Sequence, residues 1–425
     1  SSLSGKVAGL NLYSAGSGPG GSVRVSLRGD ASMNPDGNNA LIVLDGVPMN
    51  GGGTSSGVGN AYGAGSGSDV PVDFGNGISD INPDDIESIT VLKGPGATAL
   101  YGSRAANGAL LITTKSGARK DKGIGVTVNT NASINTVLRW PDYQYEYGQG
   151  TGRGLNAAGE KYYSYGASAD GASTSGTSSA FGPRFNGQMY FQYDPTVEGQ
   201  SPERRPWVAQ PNNIKGFWRT GSTITNNISI ESGNENGSVR ASLTHSKNEW
   251  IMPNTGFERV TAALSVSQKV SEKLRFVSKV NYTNKTSDNL PATGYNNQSI
   301  AYFMIFQNPN VDLNWYRPIW KKGQEQIDQV HPFSSFIDNP YLIAYEMTNG
   351  VRSNAFLANM AATYTFNSKF NLMLRSGIDF SSEIRKQQRP YSSANYLRRF
   401  YKQQNLQDYE IKPDFLMSYK DQIGS

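Results

Sequence analysis

Side chains able to do acid–base, nucleophilic or metal chemistry are scarce in this sequence. The chain of 425 residues has no cysteine and two histidines, His245 and His331. That removes disulfide scaffolds, thiol nucleophiles and Cys/His zinc sites, and leaves little for histidine-based general acid–base catalysis. Asp84, Asp85 and Glu87 form an acidic cluster, but Asn82 and Pro83 ahead of them make a helix start: a capping amide, a proline at the first position and acids at the positive end of the dipole. Gly16, Gly18 and Gly21 match a dinucleotide fingerprint in form only, because Pro19 interrupts it and no helix of useful length follows. Between 385 and 402, Arg385, Lys386, Arg389, Arg398, Arg399 and Lys402 alternate with Tyr391, Tyr396, Phe400 and Tyr401. Interleaving of this kind can hold single-stranded nucleic acid. A net charge of only +5, spread along the chain, argues instead for anionic lipid phosphates, an acidic protein surface or plain solvation. No catalytic group, metal, cofactor or nucleic-acid partner is expected, and the chemistry left is binding.

The composition says what must position that binding chemistry. Charged residues make up 17% of the chain against about 25% in an average soluble protein, while aromatics reach 11% and glycines number 47. No stretch of 18 apolar residues offers a transmembrane helix. Residues 1–122 read as a glycine-punctuated α+β unit. Short strands are predicted at Val23–Arg28, Ala40–Leu44, Ser88–Leu92 and Ala109–Thr114, with a turn at Asp45 Gly46 and a short helix at Ala97–Tyr101. Arg28 and Asp45 are candidates for a stabilising polar pair. Eight glycines within residues 50–68 mark a loop that is either disordered or functional.

From residue 123 the pattern changes to strict two-residue alternation. Val126, Val128, Ala132 and Ile134 oppose Asn129, Asn131, Ser133 and Asn135. Phe370, Leu372, Leu374, Ile378 and Phe380 oppose Lys369, Asn371, Arg375 and Asp379. Similar runs at 224–230, 238–244, 259–267, 273–282 and 356–366 give seven strands, with an eighth near 407–418. His245 falls on an apolar face near a strand end. A soluble sandwich with one wet face explains alternation alone. Runs of about ten residues suit a tilted bilayer crossing better, and the connections alternate in length. Gaps at 139–222, 249–257 and 287–352 interleave with tight turns at 233–237, 271–272 and 367–368, the parity of a transmembrane β-barrel with long extracellular loops. Those loops hold all six tryptophans, of which Trp207 and Trp218 are candidate stacking surfaces. Loop cores or an interfacial belt are the competing readings. Seven or eight strands could not enclose the first unit, so the chain is expected to be part of something longer.

LSGKVAG at 3–9, LIVLDGVP at 41–48, INPDDIESITVL at 81–92, YGSRAANG at 101–108 and LITTKSG at 111–117 together resemble the plug domain of SusC/RagA-family TonB-dependent outer-membrane transporters. Lys93 Gly94 Pro95 Gly96 departs toward the siderophore and cobalamin receptors of the wider superfamily. The resemblance implies an all-β transmembrane barrel of about 22 antiparallel strands in the full protein, seven or eight of them here, with the α+β plug inside. Residues 1–122 would be the plug and 123–425 the first strands and extracellular loops. It implies no enzyme activity. It implies import, driven by TonB and proton-motive force, of a glycan or peptide across the outer membrane of a Gram-negative, Bacteroidetes-type cell. Implied partners are a SusD-like surface lipoprotein, TonB acting through a segment upstream of this sequence, and outer-membrane lipid or lipopolysaccharide, with a dimer of transporter–lipoprotein pairs as one option. Apical plug loops would contact the ligand, which nominates Asn34, Asp36, Asn38, Asn39, Asn60, Tyr62, Asp69, Asp73 and Phe74. A siderophore or cobalamin receptor is the alternative within the superfamily, and a soluble β-rich glycan-binding protein or enzyme the alternative outside it.

Overall fold

In a computed structural model the described residues are 9–14, 17–29, 33, 38–49, 72–93, 95–117, 123–151, 155–166, 169–294, 297–331 and 337–420. The glycine-rich loop, Gly16, Gly94, Asn34, Asp36, Asn60, Tyr62 and Asp69 lie outside them.

The first unit is built from β1 (Leu10–Ser14) and β2 (Val23–Leu27), paired antiparallel, and a four-stranded sheet of β3 (Leu41–Leu44), β4 (Val47–Pro48), β5 (Ile86–Leu92) and β6 (Ala109–Thr114) in the order β4-β3-β6-β5. Helix α1 (Pro95–Tyr101) packs over Leu41, Val43 and Ala109 through Ala97. The helix start at Asn82 is a single 3-10 turn, Pro83–Asp85, in which the Asn82 side chain accepts from the Asp84 amide before β5 begins. β-branched residues in β5 take over at once.

The second unit is one antiparallel sheet of eight strands. β7 (Gly125–Asn135) pairs with β12 (Gly221–Gly233), followed in sequence order by β13 (Gly237–Glu249), β14 (Gly256–Lys269), β15 (Leu274–Ser287), β16 (Asn349–Thr365), β17 (Phe370–Arg389) and β18 (Phe400–Tyr419). The short turns 234–236, 270–273 and 366–369 lie at one end, and all the longer connections at the other. The alternation is inverted relative to a soluble sheet. Val128, Ile228, Leu243, Leu264 and Leu374 are exposed on one face, while Asn227, Arg240, Ser242, Thr244 and Thr261 are buried on the other, under the first unit. In water such an arrangement would leave a wide apolar surface bare. Against lipid tails it is the stable one.

Aromatic residues mark where the apolar band stops. Tyr282, Phe356, Phe380 and Tyr409 are in register across β15–β18, and Tyr364, Phe366 and Phe370 cluster near the short turns. From Phe370 to Phe380 β17 rises about 34 Å, which at a tilt near 40° is a height of roughly 26 Å, close to the ~25 Å apolar band of outer-membrane barrels. Above Phe380 the same outward face turns polar, beginning with the register row Asn284, Asn354, Ser382 and Gln407.

The long connections form a layer of their own. It contains the two-residue strands β8 (Met189–Tyr190), β9 (Tyr193–Asp194), β10 (Gly199–Gln200) and β11 (Arg205–Pro206), and the helices α2 (Asn213–Phe217), α3 (Ile300–Phe306) and α4 (Pro340–Tyr345). Residues from three connections share one apolar core that includes Phe217, Met252, Phe303, Leu313 and Leu342. The sequence pattern does not anticipate this layer.

Candidate functional site

The plug and the sheet wall meet through polar contacts. Asp45 and Gly46 both have positive φ, 50° and 84°, the geometry of the tight turn that an Asp-Gly pair favours, and this turn points at β15–β17. Thr114 donates to both Asp45 oxygens, from N at 2.9 Å and from Oγ1 at 2.7 Å, and Lys279 Nζ lies 2.9 Å from Oδ1. Asn359 donates to the Asp45 carbonyl. A Cβ at Gly46 would stand 3.0 Å from Arg375 Nη1, so a side chain there would push against β17. The expected Arg28–Asp45 pair does not form, because the Asp45 carboxylate is turned to Thr114 and to the wall.

A second latch sits at the 3-10 turn. Asp85 Oδ1 lies 2.9 Å from Arg240 Nη2 on β13 and accepts from Ser242 Oγ at 2.7 Å. Asn82 Nδ2 donates to Asp85 Oδ2 at 2.7 Å and to Thr244 Oγ1 at 2.8 Å. Both acids and both cations are nearly buried, with side-chain exposures of 6% for Arg240, 4% for Asp85, 12% for Lys279 and 3% for Asp45. Farther along the wall, Lys412 Nζ donates to the Pro48 carbonyl at 2.5 Å, and Arg104 meets Glu410 at 3.2 Å on an exposed edge. Of the acidic cluster at 84–87, Asp85 is the latch residue, Asp84 belongs to the 3-10 turn and Glu87 lies in β5. No group of three or more metal-capable side chains occurs among the described residues.

Near the outer end, Asp73 is fully engaged: it accepts from Ser17 Oγ, from Ser22 N and Oγ at 2.7 and 2.6 Å, and from Gly75 N at 2.9 Å. Phe74 is buried with Val72, Leu290 and Val351. Its carbonyl accepts from Lys285 Nζ at 2.9 Å, and the Arg385 guanidinium lies 4.6 Å from its ring centroid. Asn38 is buried, and Asn39 is exposed and accepts from Asn107 through its carbonyl. Of the nominated plug residues that are described, Asp73 and Phe74 fix the plug to itself and to the wall, and only Asn39 faces solvent.

The tryptophans belong to the loop layer. Trp207 is 0% exposed, stacked between Tyr163 and Phe185, and donates from Nε1 to the Pro183 carbonyl at 3.1 Å. Trp218 packs on the shared loop core edge-on to Phe217. Neither is the open stacking platform expected, since apolar rings in long connections are consumed by burial within those connections. The basic run is also divided. Arg389 is buried, donating to Gln298, Asn349 and the Thr348 carbonyl, whereas Lys386 is exposed on the outward face.

Several matches to known proteins agree with this geometry. The family model of the TonB-dependent receptor plug domain matches residues 1–109. The TonB-dependent receptor SusC of Bacteroides thetaiotaomicron is 27% identical over 394 residues, covering 88% of this chain and 32% of the relative. The chain is similar to SusC-type TonB-dependent receptors and carries the plug-domain match at its start. TonB-dependent receptor P3 of Formosa agariphila is 24% identical over 385 residues, which is 90% of this chain and 30% of that receptor. In fold the chain is similar to a structure of the RagAB peptide importer in its closed-closed state, with a TM-score of 0.67 at 19% identity, covering 100% of this chain and 43% of that one. The chain thus spans about a third of the length of the curated relatives it matches. Those relatives are named receptors, not enzymes, and the family is an outer-membrane one. The eight strands are accordingly part of a barrel wall with a plug against its inner face.

Proposed function

We propose that the whole protein imports glycan fragments or peptides across the outer membrane of a Bacteroidetes-type bacterium, drawing on TonB in the periplasm and on a SusD-like lipoprotein at the outer face. In this reading residues 1–122 are the plug and 123–425 the first strands and loops of the wall. The observation that carries it is the hydrophilic seam between plug and wall. Asp45–Lys279 and Asp85–Arg240 hold the plug in place, yet sliding it away exposes groups that water can solvate, so a pull along the axis can open a path. Asn39, exposed on the plug, offers amide chemistry suited to sugar hydroxyls or peptide groups.

The test is uptake by cells carrying the full-length receptor and its lipoprotein. Labelled oligosaccharides or peptides should accumulate, and an uncoupler should stop accumulation while leaving surface binding intact. Uptake that survives the uncoupler, or competition by ferric chelates and not by either solute class, would overturn the proposal in favour of another transport mode or a siderophore receptor.

A further inference from the structure

The inward face of the wall is sorted by charge. On β13–β16 the inward register positions carry cations and no carboxylate. The cations fall in three register rows: Lys269 opposite Arg275 near the short turns, Arg240 and Lys279 flanking Ser265 in the middle, and Arg259 opposite Lys285 toward the outer end. Along β15 the first two rows lie about 14 Å apart and the last two roughly 20 Å. Between them stand Thr261, Asn281, Thr283 and Ser353, with Val277 and Leu357 as apolar interruptions. The flanking strands mix the two signs. Glu231 on β12 stands opposite Arg240, Glu383 pairs with Arg385 on β17, and Arg375 pairs with Asp414 on β18.

Two of the three rows set like charges directly opposite each other, which weakens an antiparallel pair. Latching the plug does not call for that. The plug carboxylates Asp45 and Asp85 meet the middle row, at Lys279 and Arg240. In the outer row Lys285 reaches the plug through the Phe74 carbonyl, at 2.9 Å. In the row near the turns Arg275 donates to Ser267 Oγ at 3.0 Å, and Lys269 pairs with Glu272 of the adjacent turn at 2.7 Å. When the plug shifts, Asp45 and Asp85 leave with it, and the face left behind is a ladder of cations.

We propose that the solute drawn along this seam is an anion whose charges are sugar carboxylates or acidic side chains. Those charges step from Arg259 and Lys285 to Arg240 and Lys279, and then to Lys269 and Arg275. In the closed state Asp45 and Asp85 occupy the middle row in place of solute carboxylates. A narrow passage lined with one sign of charge concentrates the opposite ion, and several moderate sites in series let it move on. The inference deepens the import reading and rests on it.

The test is single-channel block of the full-length receptor in a planar bilayer, with urea on the periplasmic side to release the plug. The probes are oligogalacturonate against a maltooligosaccharide of equal length, and a glutamate-rich peptide against its glutamine counterpart. At least one anionic probe should block at a roughly ten-fold lower concentration than its neutral counterpart. Which one does so tells a sugar anion from a peptide one. R259Q/K285Q should abolish the advantage and R259K/K285R should keep it. A closed baseline before urea reports that each variant is folded with its plug seated. Equal block by anionic and neutral probes, or an advantage that survives R259Q/K285Q, would overturn the proposal while leaving the import reading intact. A receptor that passes no current after plug release would overturn the import reading and this inference with it.

Discussion

Taking away one half of a buried ion pair strands the other charge, at about 3–5 kcal/mol. Arg240→Ala should therefore loosen the plug by that order, since Asp85 is nearly enclosed on the β13 side. Limited proteolysis of the plug in the full-length receptor reads the loss. Asp85→Ala/Arg240→Ala together should cost clearly less than the sum of the single changes, because the double variant strands neither charge. Additive losses would mean that the pair is not coupled. At the same scale, Trp207→Ala removes the largest fully buried side chain of the loop layer and should destabilise that layer by ~3–5 kcal/mol, measurable as earlier loop melting with the barrel still intact. The pairing of Asp45 with Lys279, far apart in sequence, was not legible beforehand. An Asp in a tight turn looks the same whether it serves the turn or a distant lysine, and Arg28 was the nearer guess.

Elements were far more readable than residues. Alternation of apolar and polar side chains over runs such as Phe370–Phe380 predicted the strands, and the tight turns predicted their pairing order, because a period of two survives whichever face is buried. Loop parity chose between water and lipid. The loop layer was not legible: its core gathers Phe217, Met252, Phe303 and Leu342 from separate connections, and no periodicity links them. On the wall itself, Leu374→Arg should cost ~2–4 kcal/mol near the midplane, with Asn371→Arg on the inner face costing much less; urea unfolding in vesicles compares the two. In the loop layer, burial lowers the His331 pKa, with Lys321 adding to this and Asp328 opposing it. Folded His331 takes up a proton less readily than the unfolded chain. Its contribution is therefore complete above the ordinary pKa of about 6.5 and falls as pH drops through it. Burial raises the pKa of Asp338, which acts in the opposite sense at lower pH. Protection from amide exchange around 328–331, taken relative to the intrinsic rate at each pH, should thus fall as the pH drops below about 6.5, and His331→Asn should remove that dependence.

For the molecule as a whole, the question is whether the plug must move. A Cβ built at Gly377 would lie 3.4 Å from Val47 Cβ, near the spacing a disulfide needs, and these 425 residues contain no cysteine. Val47→Cys/Gly377→Cys should therefore lock plug to wall when oxidised. Ligand binding should persist while accumulation in cells stops, and a reductant should restore it. Accumulation that continues under full oxidation would mean the path opens without this part of the plug leaving the wall.

The seam between stopper and wall has one more consequence. Surfaces joined by greasy contact turn sticky when parted and tend to clump or refuse to rejoin. Here, beside apolar patches such as Val47 and Leu357, many of the contacts join carboxylates, amides, hydroxyls and cations, which bulk solvent can accommodate on either side. A cork of that kind can be drawn and reseated over many rounds without fouling its own bottle.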